Sequence, residues 1–72
     1  MKKIFSQIGD RRYLVGFSSS LKSFYSTIDM NLQDVKWEGD NDFSAYHTGQ
    51  RMIVHYSARD IVENETCFMK QV

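Results

Sequence analysis

His47, His55 and Cys67 are the side chains best suited to nucleophilic or metal chemistry in this sequence. A catalytic cysteine needs its thiol ionised by an adjacent base, and usually a third group to orient that base. His55 and Cys67 fall in segments that read as strands, so strand pairing could bring them together. Both segments are apolar, and packing residues are the expectation there. Structural zinc calls for tight ligand spacing, such as two cysteines two residues apart, and a lone cysteine cannot supply it. The same cysteine count rules out an intramolecular disulfide. No catalytic group, metal or cofactor is therefore expected.

The acidic stretch Asp34, Glu38, Asp40 and Asp42 invites a calcium reading, because such loops place oxygen ligands at alternating positions around a sharp glycine turn. Counted from Asp34, Gly39 takes the sixth position, but Lys36 holds the third and Ala45 the twelfth. Counted from Asp40, the sixth position is Ala45. Neither register works, and a solvated loop is the better account. The glycines at 9, 16, 39 and 49 stand apart, so no glycine-rich phosphate loop exists. Acid–base work by paired carboxylates needs one of them buried and raised in pKa. Every acid here lies in a polar context.

Binding features are better supported. Trp37, Phe43, Tyr46 and His47 place aromatic rings beside those acids, and Trp and Tyr are frequent interface anchors. Trp37 and Phe43 have an alternative role in completing the core of a small domain. Arg11, Arg12 and Tyr13 form the one paired-arginine feature, suited to phosphates or acidic side chains because arginine donates bidentately. If a sheet displayed Tyr13, Phe17 or Tyr56 outward between basic residues, it could stack single-stranded bases.

Seventy-two residues, 42% of them hydrophobic, suffice for one domain over 1–72 with one core, and leave little to wall off a deep pocket. Nine Lys plus Arg balance nine Asp plus Glu. The balance is uneven along the chain: Lys2, Lys3, Arg11, Arg12 and Lys22 face Asp10 alone up to residue 27, whereas eight acids face three cations between 28 and 65. A neutral chain argues against non-specific nucleic-acid binding, which depends on a basic face. No apolar stretch resembles a secretory signal or a bilayer span, so a cytoplasmic protein without membrane contact is expected. The sequon Asn64-Glu65-Thr66 then reads as chance.

The elements that must position these residues are legible in part. Residues 3–8 and 11–17 predict two strands joined at Gly9-Asp10, since glycine at the first central turn position permits positive φ. Alternation places Tyr13, Val15 and Phe17 on one face and Leu14 on the other. Ser18-Ser19-Ser20 offers helix caps, and Leu21, Phe24, Tyr25, Ile28 and Leu32 follow helical spacing, predicting a helix over about 19–30. Val35 and Trp37 suggest a short strand. Phe43 to His47 reads as a helical turn or an irregular crossing. Residues 51–57 predict a central strand and Cys67 to Gln71 a last one, while 58–65 stay open between helix and strand, leaning to strand or turn. The sum is an α+β fold: a small antiparallel sheet of four to five strands, N-terminal hairpin first, with one amphipathic helix on a face.

The function expected is a small non-enzymatic protein-binding modulator, such as a phage or mobile-element inhibitor, occupying a site on a larger host protein or nucleoprotein complex. Its contact residues are sought among Arg11, Arg12, Tyr13, Asp34, Trp37, Glu38, Asp40, Asp42, Phe43, Tyr46 and His47. In one version the acids stand in for nucleic-acid phosphates. The alternative is a nucleic-acid-binding module using Lys2, Lys3, Arg11, Arg12 and Lys22. A homodimer is compatible with either.

Overall fold

The computed structural model describes residues 1–28 and 31–61. The chain opens with β1 (Lys2–Ile8) and β2 (Arg11–Ser18), continues through α1 (Leu21–Thr27), and closes with β3 (Leu32–Trp37), β4 (Asp42–His47) and β5 (Met52–Asp60). The five strands form one antiparallel sheet in the order β2-β1-β5-β4-β3. The α+β expectation holds, with the hairpin at its start and the 51–57 segment at its centre. Gly9 takes φ 62° at the first position of the hairpin turn, a conformation that side chains with a Cβ resist.

One face of the sheet carries the core. Ile4, Phe43, Ala45, Val54, Tyr56 and Ala58 are buried there together with Leu21 of α1, and Ile8, Phe24, Leu32, Val35 and Trp37 pack around them. Side chains directly opposite in paired strands share a face. Thus Ile4 lies beside Ala58, and Phe43 beside both Trp37 and Tyr56. The helix closes this layer with aromatic rings: Tyr25 meets Phe43 and Trp37 edge-on at 5.3 and 5.7 Å, and Phe24 reaches Tyr56 at 6.2 Å. Burial pushes the Tyr56 phenol pKa up.

The helix is shorter than its apolar spacing predicts. Ser20, not an earlier serine, is the cap, accepting from the Ser23 amide at 3.0 Å. Ile28 is already extended, at φ −75° and ψ 122°, and Leu32 belongs to β3. Ser26 and Thr27 donate their hydroxyls back to the carbonyls of Ser23 and Phe24, as these residues do where a helix is ending. A single cap on a seven-residue helix matters. Ser20→Ala is expected to cost about 1 kcal/mol, read as a melting temperature lower by roughly 4–8 °C, whereas Ser20→Thr should recover most of it.

Two further differences have physical causes. Phe43 to His47 is a regular strand, neither a helical turn nor an irregular crossing, because β3 and β5 pair with it on both sides. In the hairpin, the register slips between Ile4 and Phe5, leaving Val15 as an extra residue of β2. That bulge breaks the alternation. Tyr13 lies opposite Ser6 on the core side, while Leu14 and Phe17 lie opposite Phe5 and Lys3 on the other face. Residues 58–60 extend β5, and the strand expected at Cys67 to Gln71 lies outside the described residues. Near the end of β5 the Lys2 ammonium donates to Asp60 at 2.9 Å, holding this exposed carboxyl below the usual carboxylate range. A depressed carboxylate stabilises the fold above its unfolded pKa, and that small contribution disappears as pH falls through the folded value.

Candidate binding site on the open sheet face

The helix covers one face of the sheet, and among the described residues no element covers the other. Strand pairing sorts the open face into four rows. Phe17, Lys3 and Arg59 form the first, and Leu14, Phe5, Ser57 and Asp42 the second. The third crosses all five strands as Arg12, Gln7, His55, Ser44 and Lys36. Ile53, Tyr46 and Gln33 form the fourth. Side chains in adjacent rows stand about 7 Å apart, two residues along a strand.

Apolar and cationic groups are interleaved here. Leu14, Phe17 and Ile53 are 52%, 53% and 61% exposed, high for side chains of their size. The Arg12 guanidinium lies over the Phe5 ring at 4.0 Å, a contact worth about 0.5–1 kcal/mol at an exposed site. His55 Nε2 stands 3.5 Å from Asp42 Oδ1 in the middle of the face. Two shallow hollows flank Ile53. One is bounded by Gln7, Gly9 and His55, the other by Asp34, Val35, Lys36, Ser44 and Ala45. Arg12, Lys36, Arg59 and Lys3 thus face Asp42, which sits beside His55, and Asp34 at the rim.

The residues singled out by sequence separate over the molecule. Arg12 is on the open face and Tyr46 joins it, half-buried. Arg11 and Tyr13 fall on the core side by register, at the edge strand. Phe43 is fully buried in the core layer. Trp37 is half-buried under Tyr25 and against Phe43 at 4.6 Å, with the Lys22 ammonium 5.8 Å from its ring. His47 Nδ1 accepts from the Gln50 amide at 3.1 Å and organises the β4–β5 turn. A Cβ on Gly49 would come within 3.1 Å of its ring.

The acids do not share a surface. Asp34 sits in a bulge of β3 at φ 54°, and Glu38 and Asp40 follow in the β3–β4 turn. Asp40 lies 3.7 Å from Lys22 on the helix side, and Asp42 is across the sheet beside His55. The basic set divides likewise: Lys3 and Arg12 are on the open face, Lys2 and Lys22 on the helix side. What sequence reading missed is Phe5, Leu14, Lys36, Ile53, His55 and Arg59 as neighbours. Their shared face follows from strand register alone, which the sequence did not fix.

Among the described residues, no three His, Cys, Asp or Glu side chains stand close enough to hold a metal ion. No described helix is long and apolar enough to cross a membrane. Comparison of the chain with family models, with curated proteins and with solved structures gives no match.

Proposed function

We propose that this protein is a non-catalytic binding module that modulates a larger protein or nucleoprotein complex by docking on it through the open sheet face. The observation that carries the reading is the face itself: exposed Leu14, Phe17 and Ile53 on the same surface as Arg12, Lys36 and Arg59. Large apolar side chains grouped on one surface are a mark of interaction sites.

The sheet edges are poorer candidates. Both edge strands, β2 and β3, carry a register shift, and bulges blunt an edge against pairing with another strand. His47 Nδ1 accepts from the Gln50 amide, which gives that ring a structural role in the β4–β5 turn. Blocking a site on host machinery, as a phage or mobile-element inhibitor would, is the form of modulation this reading takes.

The test compares affinity capture from source-cell lysate by wild type, by Ile53→Asp on the open face, and by Lys22→Ala on the helix side. Partner recovery should fall at least tenfold for Ile53→Asp and stay unchanged for Lys22→Ala. Equal recovery by all three, each shown to be folded by circular dichroism, would sink the docking-face reading.

A further inference from the structure

We propose that the open face takes a single-stranded nucleic acid, with phosphates held by Arg12, Lys36 and Arg59 and bases laid on Phe17 and on the Arg12–Phe5 stack. The inference rests on the reading of this face as the docking surface and narrows the partner to one chemistry.

Three features point to it. The first is charge: although the chain as a whole is neutral, this face carries Arg12 on β2, Lys36 on β3, and Lys3 and Arg59 on β1 and β5, against Asp42 and, at the rim, Asp34. Arg12 and Lys36 end the row that crosses the sheet, and Arg59 stands two rows away in the row of Phe17, so an anionic chain laid on the face has cations at three of its borders. The second is the kind of apolar group. Phe17 is 53% exposed and belongs to the same row as Arg59, and Arg12 already stacks on Phe5 at 4.0 Å. Aromatic rings and guanidinium planes beside cations are the surfaces on which unpaired bases stack. The third is what separates the apolar groups. The row Arg12, Gln7, His55, Ser44 and Lys36 divides Leu14, Phe5 and Phe17 from Ile53. Of the two components of a nucleoprotein complex, this pattern suits the nucleic acid better than the protein, whose contact favours a continuous, charge-depleted apolar centre. Gln7, His55 and Ser44 instead offer donors and acceptors to base edges. A duplex is a poor fit, because its bases are read by an element that enters a groove, and the open face presents none.

The experiment is fluorescence anisotropy on the full chain with fluorescein-labelled oligouridylate and oligodeoxythymidylate of about twenty nucleotides. A duplex hairpin and polyglutamate serve as competitors. Single strands should bind at least tenfold more tightly than either competitor. Each phosphate contact contributes about −0.7 to the slope of log affinity against log salt. Three contacts therefore predict roughly 20-fold weaker binding on going from about 50 to about 200 mM salt. Arg12→Ala, Lys36→Ala and Arg59→Ala should each flatten that slope by about 0.7. Phe17→Ala should weaken binding on the order of tenfold and leave the slope alone, and Lys22→Ala should change neither.

Absence of binding, equal binding to polyglutamate, or loss with Lys22→Ala but not Arg12→Ala would overturn the proposal. If oligonucleotides fail while Ile53→Asp still loses its partner in lysate capture, the docking face stands and the nucleic-acid assignment alone falls. If Ile53→Asp loses nothing in capture, the docking face itself is refuted.

Discussion

Val54→Asp is expected to abolish folding, and Ile53→Asp, one residue away, to leave the fold intact while removing partner binding. Val54 is 2% exposed and lies opposite Ala45 in the core layer; Ile53 is 61% exposed on the other face. A buried, unpaired carboxylate is among the few single changes that cost more than about 4–5 kcal/mol. A domain of this size holds only about 4–11 kcal/mol in total, at roughly 0.05–0.15 kcal/mol per residue. The same residue at position 53 keeps its hydration. Its cost is limited to the weaker strand preference of aspartate, about 1 kcal/mol or less. Circular dichroism with thermal melting on both variants checks the contrast. A cooperative, native-like melt for Val54→Asp would mean that β5 presents the opposite face to the core, since a shift of one residue exchanges the two. The docking surface would then be wrongly placed as well.

Phe43→Ala should lower the unfolding free energy by about 3–5 kcal/mol, as large aromatic truncations in packed cores do. Phe43 is fully buried, and its ring joins the others of the core layer: Trp37 at 4.6 Å, Tyr56 at 5.0 Å and Tyr25 at 5.3 Å. Removing it leaves a cavity between sheet and helix and takes away the ring on which Tyr25 of α1 rests. A helix of seven residues has little stability of its own, so loosening this contact should release it. Trp37 is the single tryptophan, and its emission reports on the same cluster. Denaturant titration followed by tryptophan fluorescence should show a much lower midpoint, and the folded variant should emit further to the red. Phe43→Leu keeps most of the volume and should recover more than half of the loss. A cost below about 1 kcal/mol for Phe43→Ala would mean that the ring cluster does not anchor the helix.

Both expectations come from which face a side chain takes, and that was only partly legible in the sequence. The hairpin was legible because Gly9-Asp10 is a local turn signal between two β-rich runs. The helix start was legible because serine caps are local, and the 51–57 strand because Met52 to Tyr56 alternates. Val35 and Trp37 also revealed their strand by alternation. These features depend on backbone preferences within a few residues.

The rest depended on partners distant in the chain. Phe43 to His47 has a weak strand signal and became β4 because β3 and β5 flank it. The helix stopped before Leu32 although apolar spacing continued, because Leu32 pairs with His47 in the sheet. Tyr13 and Phe17 were expected on one face, and the extra residue at Val15 separated them. The charge pattern shows the same division. Along the chain, cations gather before residue 28 and acids after it, yet antiparallel pairing sets Arg59 beside Lys3 and places Lys36 in the row of Arg12. The sequence by itself determined the fold class and the local turns, because those are set by short-range sterics and capping. Only the tertiary structure decided which side chains share the open face, because strand order and register are properties of the pairing between segments and not of any one of them.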